Sequence, residues 1–238
     1  MATPLLLGHR GLREPKLAPE NSFAAFDLAL EHGCDGFEFD VRLSGSGRAV
    51  ITHDTRVGKV SVANATRDQL RELPDLAAVL LRYGQRVFLD IELKVTGLEQ
   101  KLLRALREYP PGRDYVVSSF LPDVIMEIAA RRTTIPLGII CDKKSQLAKW
   151  RSLPVDYVIV EQSLVNLKLI EEIRNAGRKA IVWTVNDARS IRRVSDIGVD
   201  AIISDHPKLL VSTLRPGAGK ARTRSSPKTT VRSISGMT

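Results

Sequence analysis

Cysteine is almost missing: Cys34 and Cys141 are the only two in 238 residues, far apart and in no metal-binding or redox spacing, which excludes a disulfide framework. Aromatic residues reach only 5%, a poor supply for the stacking platforms that hold single-stranded nucleic acids. No stretch approaches the run of about 18 apolar residues that a membrane-spanning helix requires. The apolar run after Met1 is short and has no basic residues ahead of it, so no secretory signal is expected and the cytoplasm is the expected location.

Apolar residues make up 43% and charged residues 26%, ordinary usage for a globular protein, and the length favours one large domain or two small ones. The net charge of +9 is uneven. Residues 215–238 hold six basic residues (Arg215, Lys220, Arg222, Arg224, Lys228 and Arg232) and no acidic one, so six of the nine net charges fall there. That segment is also rich in Gly, Ser and Thr. The expectation is a folded domain over residues 1–214 and a basic, disordered tail over 215–238, which attracts polyanions without specific recognition of nucleic acid.

Across residues 1–214, short runs of Val, Ile and Leu alternate with helix-like segments, as in chains of βαβ units. Eight strands are expected, at Leu5–His9, Gly36–Leu43, Val87–Lys94, Tyr115–Ser119, Pro136–Cys141, Tyr157–Val160, Ala180–Thr184 and Ala201–Ser204. Helices are expected near Ser22–His32, Leu73–Arg82, Leu98–Tyr109, Pro122–Arg131, Lys144–Trp150, Leu164–Ala176, Asp187–Ser195 and Pro207–Leu214. Eight alternations in this length fit a closed (β/α)8 TIM barrel. Periodicity alone also fits an open doubly wound sheet. Ser44-Gly45-Ser46-Gly47 reads as a turn leading into Ala49–His53, a hairpin added after strand two, followed by an irregular excursion over Asp54–Glu72.

In Phe37-Glu38-Phe39-Asp40-Val41 the two acids share one strand face about 7 Å apart, and the apolar residues take the other. Leu89-Asp90-Ile91-Glu92-Leu93-Lys94 repeats the arrangement. In a barrel the apolar faces pack outward on helices, so Glu38, Asp40 and Glu92 turn inward near the C-terminal mouth, where such barrels keep their active sites. A solvated acidic face is the alternative for either strand alone, but two adjacent strands with apolar outsides and acidic insides point to a site. Carboxylates so close repel one another, and a hard cation with oxygen ligands, Mg2+ or Ca2+, answers that charge; zinc fits poorly without a Cys or His cluster.

Two of only four histidines, His9 and His53, end the first strand and the hairpin, at the same mouth. They are suited to proton transfer as general base and general acid. Arg10 and Lys94 add the positive charge needed to hold an anionic oxygen, or serve the acids as counter-ions. His32 and His206 read as surface or capping residues.

Gly8-His9-Arg10-Gly11, Ala18-Pro19-Glu20-Asn21-Ser22, Glu38-Phe39-Asp40-Val41, His53-Asp54, Glu92-Leu93-Lys94 and Trp183-Thr184-Val185-Asn186 together resemble the glycerophosphodiester phosphodiesterase family in order and spacing. The resemblance runs from about Leu5 to Pro207, and Ser204-Asp205-His206-Pro207 stands near the family's Thr-Asp-x-Pro. It implies a metal-dependent barrel enzyme that cleaves small-molecule glycerophosphodiesters to an alcohol and glycerol 3-phosphate. It places the metal carboxylates on Glu38, Asp40 and Glu92, the catalytic pair on His9 and His53, and the phosphate-holding cations on Arg10 and Lys94. Glu20 and Asn21 fall on a segment that supports the constellation; Trp183, and less strongly Phe120, fall on the substrate wall. The insertion after His53-Asp54 is shorter than the family's usual one. A more open mouth would admit a bulkier head group, so a lysophospholipase D-like activity is one alternative and a non-catalytic, anion-binding barrel another.

Overall fold

A computed structural model of the chain describes residues 3–112 and 114–216. Eight strands rich in Val, Ile, Leu and Phe run parallel and close into a ring: β1 (Leu5–Gly8), β2 (Gly36–Leu43), β6 (Phe88–Leu93), β7 (Tyr115–Ser119), β8 (Leu137–Cys141), β9 (Tyr157–Glu161), β10 (Lys179–Trp183) and β11 (Ala201–Ser204). β11 pairs back onto β1, and β1 onto β2 through Leu7 and Gly36. Closure leaves no free edge, so the open sheet is excluded and the fold is a TIM barrel.

The period of two separates two cores. Phe37, Phe39, Leu89, Ile91 and Leu93 face outward and pack with Phe26, Val79 and Leu102 from the helices; Phe26 and Phe37 stack with ring centres 4.2 Å apart. Burying each such aromatic contributes roughly 2–3 kcal/mol. Inside the barrel, Leu7, Phe88, Val116, Ile140, Ile159, Ile181 and Ile203 form a second apolar plug. Gly36 lets β2 and β6 approach, since a Cβ there would stand 1.9 Å from the Phe88 carbonyl oxygen. The pairing of these strands sets Glu38 opposite Asp90 and Asp40 opposite Glu92.

The helices α1 (Phe23–Glu31), α2 (Leu76–Tyr83), α3 (Glu99–Glu108), α4 (Pro122–Ala130), α6 (Leu167–Asn175), α7 (Ala188–Asp196) and α8 (Pro207–Leu214) lie outside the ring. Side chains of Ser22, Asp75, Asn166 and Asp187 cap α1, α2, α6 and α7 by accepting from backbone N–H groups. The caps move the starts of α2 and α6 to later residues than the expected Leu73 and Leu164, because each capping residue keeps an extended backbone. The expected helix over Lys144–Trp150 is only α5 (Lys144–Leu147), followed by a tight turn at Trp150–Ser152. That stretch is too polar to bury a longer face, and Trp150 is held between the Arg151 and Arg178 guanidiniums.

The excursion after β2 is more ordered than expected. The expected hairpin is present, β3 (Ala49–Ile51) pairing antiparallel with β2; beyond it, β4 (Arg56–Val57) pairs with β5 (Val60–Ser61), and two short 3-10 turns follow. Val50, Val62, Ala65 and Leu70 make a small core of their own. Four apolar residues scattered without period carry too little pattern to announce this from sequence.

Arg215 belongs to the folded part, one residue past the expected boundary. Its guanidinium grips Asp35 at 2.9 and 2.7 Å, and the same carboxylate accepts from the Leu6 backbone N–H. The expected tail from residue 217 onward lies outside the described residues. Among the described residues no helix is long and apolar enough to cross a membrane.

Candidate active site

Glu38 and Asp40 from β2 and Glu92 from β6 each present a carboxylate oxygen within 4.8 Å of the others, and all three are buried. At that separation two unit charges repel by about 3 kcal/mol at an effective dielectric of about 20. Burial adds to this repulsion, and together they raise most of these carboxyls. Burial, then Asp40 and Glu92, pushes Glu38 well above the ordinary carboxylate range. Burial and Asp40 push Glu92 up to about 7 against the pull of Lys94. Asp90, one layer deeper, is pushed up to about 7 by burial even though Ser118 donates to it at 2.6 Å. Only Asp40 goes the other way: burial would raise it, but Lys94, Arg10 and the Asn21 amide together hold it low.

The cluster is therefore short of positive charge. Glu38 Oε1 and Asp90 Oδ2 are buried without a hydrogen-bond partner. An all-oxygen donor set with excess negative charge fits a hard divalent cation held by Glu38, Asp40 and Glu92.

The loop after β1 builds the next wall. Arg10 and Gly11 take left-handed backbone conformations, φ 54° and 78°, and a Cβ on Gly11 would strike the α1 backbone at Ala25. This turn aims the Arg10 backbone N–H at Glu38 Oε2 (2.9 Å), its Nε toward Asp40 Oδ2 (3.2 Å) and its Nη1 at Glu20 Oε1 (2.6 Å). Asn21 brackets Asp40, donating from Nδ2 to Oδ2 at 2.7 Å and accepting from the Asp40 N–H at 3.1 Å. Glu20 thus contacts the cluster through Arg10, and Asn21 contacts it directly at Asp40.

His9, just past β1, is buried, with Nε2 3.8 Å from Glu38 Oε2 and Nδ1 2.6 Å from Asp205 Oδ1. His53 stands on the solvent side, 35% exposed, with Nδ1 2.9 Å from Asp54 Oδ1 and its carbonyl accepting from Arg42 Nε at 2.6 Å. The Thr52 N–H donates to the Asp40 carbonyl, which ties the hairpin end to the cluster, and the charge of His53 reaches Asp40. His9 stands beside Glu38, while His53 is linked to the acids through the backbone of its hairpin.

Lys94 Nζ lies 2.6 Å from Glu92 Oε1 and 3.3 Å from Asp40 Oδ1, and 5.4 Å over the Phe120 ring. Phe120 meets Trp183 edge to face at 5.5 Å, and Trp183 stands 6.4 Å from His9. These rings and the acids enclose a cavity of about 20 Å3. Larger hollows lie elsewhere, such as one of about 510 Å3 lined by Asp114, Tyr157 and Lys179 at the N-terminal end of the strands, without a comparable set of reactive groups. His32 and His206 lie away from the cluster along an outer groove, as surface residues do; His206 sits at the start of α8 but makes no side-chain cap.

Three residues given no role from sequence join the site. Asp205 takes the Nδ1 edge of His9, opposite Glu38, and Asn186 Nδ2 (2.7 Å) and Arg13 Nη1 (3.3 Å) donate to it. Burial opposes its charge, but these three partners hold Asp205 far below the ordinary carboxylate range. The parity of Ala201, Ile203 and Asp205 along β11 and just past it carried the signal, since it places Asp205 on the inward face with Glu38 and Glu92.

The sequence model of the glycerophosphoryl diester phosphodiesterase family matches residues 9–90 and 80–209. A glycerophosphodiester phosphodiesterase of Caldanaerobacter subterraneus subsp. tengcongensis is 28% identical over 242 residues, covering 90% of this chain and 98% of that one. Among solved structures, a phosphodiesterase of Oleispira antarctica in complex with the product sn-glycerol-3-phosphate superposes with a TM-score of 0.77 at 25% identity, covering 89% and 96% of the two chains. A glycerophosphodiester phosphodiesterase of Thermotoga maritima has the same fold, with a TM-score of 0.77 at 24% identity over 89% and 99%.

Proposed function

Because the chain belongs to the glycerophosphoryl diester phosphodiesterase family, we propose that it hydrolyses glycerophosphodiesters to an alcohol and glycerol 3-phosphate at the mouth of its barrel. The observation that carries this reading is the buried triad Glu38, Asp40 and Glu92, with His9 beside Glu38 and with Arg10 and Lys94 against its carboxylates. A divalent cation, Mg2+ or Ca2+, held by the triad would neutralise the carboxylates and polarise a phosphoryl oxygen.

The protein's own groups do the rest. Arg10 and Lys94 hold the phosphodiester oxygens and stabilise the charge that builds on them. A carboxylate only accepts hydrogen bonds, so the Asp205 contact keeps the His9 proton on Nδ1 and leaves Nε2 for proton transfer inside the site. One histidine takes the proton of the attacking hydroxyl as its oxygen bonds to phosphorus. The other gives a proton to the departing alkoxide as that P–O bond breaks. The attacking oxygen is that of water or of the substrate's neighbouring hydroxyl; the second route passes through a cyclic phosphate. Phe120 and Trp183 wall the pocket beside Lys94 and His9. The buried, unpaired thiols Cys34 and Cys141 suit a reducing compartment such as the cytoplasm.

Phosphorus NMR of glycerophosphocholine incubated with the protein and either cation tests the reading. The expected result is a growing glycerol 3-phosphate resonance. Faster turnover of lysophosphatidylcholine would shift the substrate class to lysophospholipids, and conversion of neither would overturn hydrolysis.

A further inference from the structure

His9 and Asp205 reach one another across the seam where the barrel closes. β1 and β11 pair with Gly8 opposite Ser204, and the His9 N–H donates to the Ser204 carbonyl at 2.9 Å. The backbones that carry the two side chains are thereby fixed, and the 2.6 Å contact between Nδ1 and Oδ1 does not depend on a mobile loop.

Asp205 is itself held from two directions. Asn186 Nδ2 donates to its second oxygen at 2.7 Å, while Asn186 Oδ1 accepts from the Asp205 N–H at 2.9 Å and from Ser204 Oγ at 3.2 Å. Arg13 Nη1 reaches Oδ1 at 3.3 Å, and Arg13 Nε donates to Glu20 Oε2 at 2.8 Å. Glu20 in turn takes Arg10 at 2.6 Å. A chain of charges therefore runs from Arg10 through Glu20 and Arg13 to Asp205 and His9, joining the phosphate-holding cation to the proton-transfer group.

We propose that Asp205 is the positioning residue of His9, fixing the ring and its Nδ1 proton so that Nε2 faces the carboxylate triad, and that Arg13 braces Asp205. The proposal rests on the acid/base role given to His9 above. A carboxylate that orients an imidazole in this way commonly governs turnover far more than binding.

Nitrogen-15 NMR of histidine-labelled protein at about pH 8.5, where imidazole is normally neutral, reads the ring directly in the resting wild type. The expected ring carries its proton on Nδ1. In Asp205→Asn the amide can donate as well as accept, so the Nε2–H form is expected to appear, with kcat lowered about 100-fold or more and KM within about threefold. Arg13→Gln keeps the Asn186 contact and is expected to lower kcat by less than about 10-fold. A wild-type ring protonated on Nε2 alone would overturn the proposal, and so would Asp205→Asn with kcat within about threefold of wild type. Should Asp205→Asn fail to fold, the wild-type spectrum decides. A wild type that hydrolyses nothing but shows the Nδ1–H ring would bring down the hydrolytic reading and leave the positioning of His9 standing.

Discussion

At the scale of single residues, the two histidines proposed as the proton-transfer pair differ in their surroundings. His9 is enclosed and anchored by a carboxylate, whereas His53 faces solvent beside Asp54. Replacing either His9 or His53 by Asn is expected to lower kcat by about 10^2 to 10^4, while calorimetric titration with Mg2+ or Ca2+ still detects the cation. Glu92→Gln should do the reverse to binding: the triad loses one charged oxygen, and the same titration is expected to show at least tenfold weaker affinity, about 1.4 kcal/mol or more. The shared face of the acids was legible because alternation along Phe37–Val41 and Leu89–Lys94 separates polar from apolar residues, and the histidines were singled out by their places at the ends of the first strand and the hairpin. Asp205, Asn186 and Arg13 were not read as part of the site, since they converge from the ends of different elements and only the closed ring brings them together.

At the scale of elements, the caps and the small insertion carry separate consequences. Asn166 holds the start of α6 through the Leu169 N–H at 3.0 Å, far from the acids in sequence and function. Asn166→Ala is expected to cost about 1 kcal/mol in urea unfolding with kcat unchanged. The insertion is different, because β3 delivers His53. Leu70 is 2% exposed in the insertion's own core, and Leu70→Ala is expected to cost about 2 kcal/mol or more and to lower turnover along with it; unfolding and activity measured on one preparation check both. The eight strands and the main helices could be read from period and capping residues. α5 was expected but ends at Leu147 rather than Trp150, and the β4–β5 hairpin was read as irregular, because segments this short bury too little to leave a pattern.

At the scale of the whole molecule, the barrel stores unfavourable charge at its mouth. Folding holds Asp90 and Glu92 up to about 7, against about 4 in an unfolded chain. The native state then binds more protons than the unfolded state between these values, so stability must fall as pH rises from about 4 to 7. In chelator, the melting temperature is expected to drop across that window; with excess Mg2+ or Ca2+ the drop should flatten, because the cation favours the ionised carboxylates. Thermal scans at several pH values read both slopes. The clasp of Arg215 on Asp35 fastens the end of α8 to the barrel, and a chain cut after Pro216, which keeps it, is expected to keep its melting temperature and activity.

The claim that ties these scales together is that the triad and the histidines cleave phosphodiesters with a bound divalent cation. It is tested most directly by glycerol 3-phosphate release from glycerophosphocholine before chelation, after chelation and after the cation is restored. Release that stops in chelator and returns with Mg2+ or Ca2+ is the predicted result; release that continues undiminished in the chelated protein would contradict it.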